Sequence, residues 1–571
     1  MLTSGILGCI IDDAVKIKSP ALRQKKKGST MKKIVLLILT IAMMLTLAVS
    51  FTSCKSSDKT DSIVNLIDVK LTDEEYAFVC KKGNTELVSG FNAFLNEIKS
   101  DGTFDTLVDK YFKGEGEKVG YDVAMSDVQN TEDNLVVVTN CPFEPFEYIG
   151  DDGKIYGLDI EIAAAYAESE NLTLVIKNIG FDDIFTQVDA GYADIGMAGI
   201  TASEDRAAIY DFTNSYYQAS QKIIVAAGNT DFDACATVEE VEAILASLQG
   251  KKIGYQIGTT GSMYINGDED WGYTGFANVE GKGYTTAQDA LQDLINGNIY
   301  AVVVDEAPGT ALANAVNGNS SAVSVKIETF LSTMEAPYFR KLLINGLINT
   351  VKVAVLGLLI GILIGTVIAI IKVAPKYKYI NRILDKICSV YVAIFRGTPM
   401  VVQLLLAYYV ILPLLGVKDV NSIVVGIVVF GMNSGAYVSE IMRGGLNSVD
   451  KGQMEAGRAL GLSYNTTMLK VVIPQAIKNI LPTLGNEFIT LIKETSVLSF
   501  ITVYDLYTAL STIGSKNYEK MVPYIVMAMI YIVLVLMITL LVKILEKTFA
   551  KSDRKRANSN TKAKKLQKEV A

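Results

Sequence analysis

Arg206 ends the stretch Gly199-Ile200-Thr201-Ala202-Ser203-Glu204-Asp205-Arg206, on a turn after a β-rich run at 193–197. A guanidinium is a planar fork of donors that meets a carboxylate in bidentate fashion. A pocket that strips water from a zwitterion needs such a cation for the carboxylate and an anion for the ammonium, because an unpaired buried charge is costly. By itself the stretch fits a solvated surface arginine better than a ligand clamp. Other chemistries drop out more cleanly. The 571 residues include no histidine, which removes imidazole proton transfer, Ser-His activation and histidine metal sites. Cys9, Cys54, Cys80, Cys141, Cys235 and Cys388 are scattered without a CxxC pair, so neither a zinc site nor a disulfide framework is indicated. No G-x-x-x-x-G-K-[ST] loop is present, so ATP cannot be cradled in the P-loop manner. The chain is expected to be no enzyme, with no catalytic residue, metal or bound cofactor.

The elements that would position Arg206 follow from patterning. β-rich runs at 135–139, 172–176, 223–226, 252–255 and 301–304 alternate with helix-like segments such as 160–170 and 286–296. That alternation predicts an α/β domain. After Pro337 the composition turns to long apolar runs at 342–371, 390–415, 423–438, 488–503 and 522–545. The first, second and last exceed the ~20 residues that cross a bilayer, and five spans are expected. Residues 61–335 hold 46 Asp and Glu against 15 Lys and Arg, whereas the remainder holds 15 against 38. The net charge of −8 therefore hides an acidic exported part and a basic membrane part. Lys372, Lys376, Lys378, Arg382 and Lys386 follow the first span, and Lys551, Arg554, Lys555 and Arg556 follow the last. Basic loops stay cytoplasmic, so the acidic domain is expected outside and the 549–571 tail inside, with no nucleic-acid partner.

At the N-terminus, Met31-Lys32-Lys33 opens an apolar run through Phe51, followed by Ser53-Cys54. Segment 31–54 has the layout of a secretory signal, to be lipidated at Cys54 or kept as a membrane anchor. Residues 1–30 read as an over-extended start, with Met31 as initiator.

Several motifs occur in one order: Asn140-Cys141-Pro142-Phe143-Glu144-Pro145-Phe146-Glu147-Tyr148, Gly157-Leu158-Asp159-Ile160, Asp194 through Thr201, Gly258-Thr259-Thr260-Gly261-Ser262 and Val303-Val304-Asp305. Together they resemble the polar amino-acid binding proteins of ABC importers, whose fold is a two-lobed α/β clamshell. The resemblance implies that Arg206 clamps the substrate carboxylate, assisted by the Thr201 hydroxyl and the main chain of Gly199 and Thr260. Asp305 would take the ammonium, and Phe143 and Phe181 would pack on the aliphatic part. Gln256 and Asn140 stand where members vary with the ligand, and some glutamine binders carry an acidic residue in place of Asn140.

One departure concerns order. The segment with Leu71-Thr72-Asp73-Glu74-Glu75-Tyr76-Ala77-Phe78 and a final Tyr111-Phe112 closes the family's first lobe at the C-terminal end, but here it comes first. Leu87, Phe91, Phe94, Leu95 and Ile98 form the stripe of a helix with one buried face, which needs a partner surface. Segment 66–113 therefore reads as a displaced part of the binding domain by circular permutation, or as the remnant of a duplicated one. Residues 114–133 read as linker and 134–335 as the amino-acid-binding domain.

Within 338–548, Glu455-Ala456-Gly457-Arg458-Ala459-Leu460-Gly461 resembles the loop by which ABC import permeases seat in a groove of their ATPase. Ala393-Ile394-Phe395-Arg396-Gly397-Thr398-Pro399 and Asn486 through Ser496 also resemble the polar amino-acid permeases. The resemblance implies contact through Glu455, Ala456, Gly457 and Gly461, a separate ATPase that uses the ATP, and a second permease copy as a homodimer. Glu487, Lys493 and Glu494 line the substrate path or mark a helix end. The expected function is import of a polar L-amino acid such as glutamine. An amino-acid-sensing receptor or ligand-gated channel is the alternative.

Overall fold

The computed structural model describes residues 62–570 apart from 125–127, 129, 319–322, 375–376, 378, 418–420 and 517–519. The expected start region 1–30 and the signal-like segment 31–54 lie outside the described residues.

Residues 134–305 form two α/β lobes, each completed by the N-terminal segment. In the first lobe, Thr173–Asn178, Asn134–Thr139, Ile195–Gly196, Val79–Cys80 and Asp211–Phe212 lie side by side in that order. In the second, the order is Val64–Leu66, Gln221–Ala226, Ala301–Asp305, Lys252–Gln256 and Glu280–Tyr284. The central strands are continuous apolar runs because helices cover both faces: Val136, Val137, Val138, Ile223, Ile224 and Val225 are all buried. Glu74–Tyr76 pairs antiparallel with Tyr217–Ala219, Tyr76 opposite Tyr217, as a two-stranded ribbon between the lobes.

The N-terminal segment thus crosses the whole domain. It adds an edge strand to the second lobe and one side of the ribbon. Val79–Cys80 then enters the first sheet between Ile195–Gly196 and Asp211–Phe212. The helix Thr85–Ser100 buries Phe91, Leu95 and Ile98, with Leu87 and Phe94 packed alongside, and Phe91 stacks on Tyr166. Each fully buried side chain of this size stabilises by roughly 1.5–3 kcal/mol. Lys110 and Tyr111 both reach Glu161, the lysine at 2.7 Å, and fasten the end of the segment to the helix Leu158–Ser169. The stretch read as linker is also held down. Tyr121 bridges to Ile155, and Val123 bridges to Ile176, the outer strand of the first sheet.

In the permease, Pro337–Val373, Ser422–Asn447 and Met521–Thr548 are long and apolar enough to cross a membrane. Two further pairs reach that length only as bent spans, Tyr379–Gly397 with Met400–Leu414 and Tyr464–Ile501 with Leu506–Lys516. The run at 390–415 is therefore not one straight span. It turns by 110° at Thr398-Pro399, where proline removes a helical donor and drives its predecessor out of the helical region. Pro337–Val373 and Ser422–Asn447 pack through reciprocal glycines. A methyl group on Gly361 or Gly365 would meet Ser434 or Val438 at 2.7 Å, and one on Gly431 or Gly435 would meet Ile360 or Ile364 at 2.5 or 2.7 Å. Small residues four apart let the two backbones approach where no hydrophobic effect drives association. The last helix, Met521–Val570, continues through the basic tail.

The two-lobed α/β part contacts the apolar helices directly. Gln187 donates to the Tyr409 hydroxyl at 3.0 Å, the Tyr192 hydroxyl donates to the Tyr408 carbonyl at 3.0 Å, and Lys516 pairs with Asp151 at 2.9 Å.

Candidate functional site: the interlobe cleft and the 451–461 loop

Strand ends and helix starts from both lobes converge beneath the ribbon. From the first lobe, Ser203 caps the helix Glu204–Ile209 by accepting from the Arg206 amide, which fixes Arg206 on the first helical turn. Its guanidinium donates to the Thr201 carbonyl at 2.8 Å and across the cleft to the Gly258 carbonyl at 2.7 Å. It also lies 4.9 Å from the ring centroids of both Phe185 and Trp271. Burial lowers the Arg206 pKa to about 10, so the group stays charged at neutral pH.

Gly199 explains its own residue type twice over. Its φ is +54°, and a Cβ there would stand 2.3 Å from the Phe143 ring. From the second lobe, Thr260 opens the helix Thr260–Asn266, and Asp305 ends the strand Ala301–Asp305. Asp305 accepts from the Tyr76 hydroxyl and, at 2.8 Å, from Gln221. Its carboxyl is pushed up to about 7 by burial and by the neighbouring Glu74. Gln256 donates to Asn140 at 3.2 Å, joining the two lobes at the rim.

All nine residues expected to face a ligand, Asn140, Phe143, Phe181, Gly199, Thr201, Arg206, Gln256, Thr260 and Asp305, line one cavity of about 20 Å³. That volume holds about one water, so the cleft in this conformation has no room for an amino acid. Sequence reasoning missed Glu74, Gln221 and Trp271. Trp271, the chain's single tryptophan, sits in a Gly- and Asp-rich loop where a large aromatic has no local reason to be, and that was its only signal. A second cavity of about 430 Å³ lies between the binding domain and the permease, lined by Asp183, Thr286, Tyr504, Thr508 and Lys516 among others. Asn140 lines both cavities.

The permease loop folds as the helix Lys451–Ala459 followed by a sharp turn. Gly461 adopts φ +82°, and the Gly461 and Leu462 amides donate back to Arg458 and Gly457 at 3.0 and 3.1 Å. Glu455, Ala456 and Leu460 are exposed, while Gly457 is buried against Thr467. A Cβ at 457 would approach Thr467 Cγ2 to 2.4 Å, so the close packing of the two segments requires glycine there. Among the membrane carboxylates, Glu487 accepts from Ser434 at 2.8 Å.

A two-lobed binding domain resting on a bundle of apolar helices defines a membrane component of a binding-protein-dependent transport system. The sequence matches the family of bacterial extracellular solute-binding proteins, family 3, over residues 135–404 and the family of binding-protein-dependent transport system inner membrane components over 357–551. A protein of Rickettsia prowazekii (strain Madrid E), provisionally named the glutamine transport system permease protein GlnP, is 39% identical over 212 residues, 37% of this chain and 94% of that relative. The arginine transport system permease protein ArtQ of Bacillus subtilis (strain 168) is 37% identical over 211 residues, 37% of this chain and 94% of that protein. A crystal structure of an amino acid ABC transporter with histidines is 40% identical, with 38% of this chain and 98% of that one covered and a TM-score of 0.35. The chain belongs to the polar amino-acid ABC transporter family and carries its solute-binding domain and its permease in one polypeptide.

Proposed function

We propose that this chain imports a polar L-amino acid, captured outside the cell by its own binding domain and passed to its own permease. The observation that carries the reading is the meeting of Arg206 and Asp305, from opposite lobes, in one buried cleft. Arg206 takes the substrate carboxylate, Asp305 the ammonium, and Phe143 and Phe181 cover the aliphatic part, so the ligand satisfies both lobes and holds them closed. Asn140 and Gln256 contact the variable side chain, with glutamine a candidate. Segment 66–113 is the displaced end of the clamshell, a reading supported by Val79–Cys80 within the first sheet, between Ile195–Gly196 and Asp211–Phe212.

The Glu455–Gly461 loop seats a separate ATPase, and a second copy of the permease completes the machine. The exposed Ala456 and Leu460, together with the folded turn at Gly461, support a docking surface. On this reading the loop lies in the cytoplasm and the binding domain outside, supported by three straight spans and two bent pairs counted as one span each.

Purified full-length protein is expected to bind one or a few radiolabelled polar L-amino acids and to take them up in proteoliposomes only with the ATPase and ATP. Uptake without any ATPase, or a current on adding ligand, would favour the channel instead.

Affinity is expected to depend on pH. The ammonium pairs with ionised Asp305, whose carboxyl reaches about 7 through burial and Glu74, with Tyr76 and Arg206 the other ionisable groups around it. Binding lowers that pKa, so affinity is full above about pH 7 and declines as pH falls through it, by up to tenfold per unit for one proton. Calorimetric titrations at pH 5.5, 6.5 and 7.5 check this; flat affinity over this range rules out Asp305 as the partner.

A further inference from the structure

The N-terminal segment brings a carboxylate to the cleft. Glu74 is 3% exposed and lies on the ribbon strand Glu74–Tyr76. Four donors converge on it. Thr72 and Gln221 reach Oε1 at 2.6 and 3.0 Å, and the hydroxyls of Thr201 and Thr260 reach Oε2 at 2.7 and 2.6 Å. Thr201 belongs to the first lobe and Thr260 to the second, so one carboxylate oxygen is held from both sides of the cleft floor. The Gln221 amide that donates to Glu74 also donates to Asp305 at 2.8 Å.

A hydroxyl has one hydrogen and two lone pairs, and a carboxylate only accepts. Glu74 therefore takes the single proton of each threonine. The direct contact between the two hydroxyls, 3.2 Å, is longer than either contact to Glu74 and does not compete for those hydrogens. Thr201 and Thr260 are left with lone pairs for the cavity they line. With Asp305 beside them, the cleft floor is a set of acceptors. An ammonium satisfies such a set with its three N–H groups, whereas a carboxylate meets lone pairs facing its own. This moves the Thr201 hydroxyl from the carboxylate side, where the family resemblance put it, to the ammonium side.

We propose that Glu74 is a positioning residue for substrate selection, holding the Thr201 and Thr260 protons so that the cleft takes α-amino acids and rejects the 2-hydroxy and 2-oxo acids with the same side chains. The inference rests on the amino-acid reading given above and names what enforces it. In a glutamine variant the amide donates to a threonine, turning that proton into the cleft.

Dissociation constants for L-glutamine and L-arginine, and for the 2-hydroxy acids with the same side chains, are measured on the full-length protein in detergent, with thermal melting of each variant. Glu74→Gln is expected to weaken amino-acid binding about 10- to 100-fold while changing hydroxy-acid binding by less than about threefold, the range for losing one charge-assisted hydrogen bond. Glu74→Asp, which keeps an acceptor, is expected to restore part of the selectivity. Thr260→Val removes one acceptor from the cleft, together with one of the four donors to Glu74, while the Glu74 carboxylate and its other three donors remain, and it is expected to weaken the amino acid more than the hydroxy acid. It decides the matter if Glu74→Gln does not fold. Equal losses for both ligand classes, or unchanged selectivity, overturn the proposal and leave Glu74 a structural residue. Failure of the wild-type protein to bind any amino acid is a different result, because it removes the amino-acid reading itself.

Discussion

Arg206→Ala is expected to weaken amino-acid binding by tens- to thousands-fold with little change in the melting temperature. Its guanidinium supplies charged donors in a desolvated cleft, and truncating one partner of a buried ion pair costs about 2–5 kcal/mol. A factor of ten in affinity corresponds to about 1.4 kcal/mol, which gives the range. The fold tolerates the change because the arginine's own bonds are to two main-chain carbonyls at the cleft edge, Thr201 and Gly258, and not to a packed core. Arg206→Lys is expected to recover only part of the affinity, since an ammonium is a point charge without the planar fork. Calorimetry on the folded variants checks both, and an unchanged affinity in Arg206→Ala would remove the residue from the site.

Gly461→Val is expected to abolish ATP-driven uptake while leaving the amino-acid dissociation constant as it was. Gly461 has φ +82° with open space around it, so backbone conformation and not crowding opposes a side chain there. A β-branched residue in the left-handed region costs roughly 1–2 kcal/mol or more, which the short loop relieves by re-aiming the Lys451–Ala459 helix. Binding is spared because the cleft described above is assembled by residues 72–305, far along the chain from the loop. Substrate-stimulated ATP hydrolysis and uptake, measured in proteoliposomes beside ligand affinity, separate the two functions. Uptake at the wild-type rate would show that the loop does not transmit the ATPase stroke.

The nine residues that line the cleft were reached through the resemblance of several motifs in one order, and not through local patterning, which left Arg206 on an ordinary turn. The stripe of Phe91, Leu95 and Ile98 was legible locally, since helical periodicity is written in neighbouring residues. The partner of that stripe, the Leu158–Ser169 helix with Tyr166, was not, because contact between residues some seventy positions apart depends on how the chain returns. The bend at Thr398-Pro399 was half legible. Proline marks a break, but hydropathy reads straight across it.

By itself, the sequence determined an acidic α/β domain joined to an apolar bundle and the turns that bear Arg206 and Gly461, because apolar period, charge and glycine placement act over a few residues. Only the tertiary structure decided what Glu74 does. Asp73, Glu74 and Glu75 are three acids in a row with nothing local to tell them apart, yet the strand leaves Asp73 and Glu75 exposed and Glu74 buried. The donors that make burial of that charge tolerable, Thr201, Gln221 and Thr260, come from both lobes, so their effect exists only when the chain has closed around the cleft.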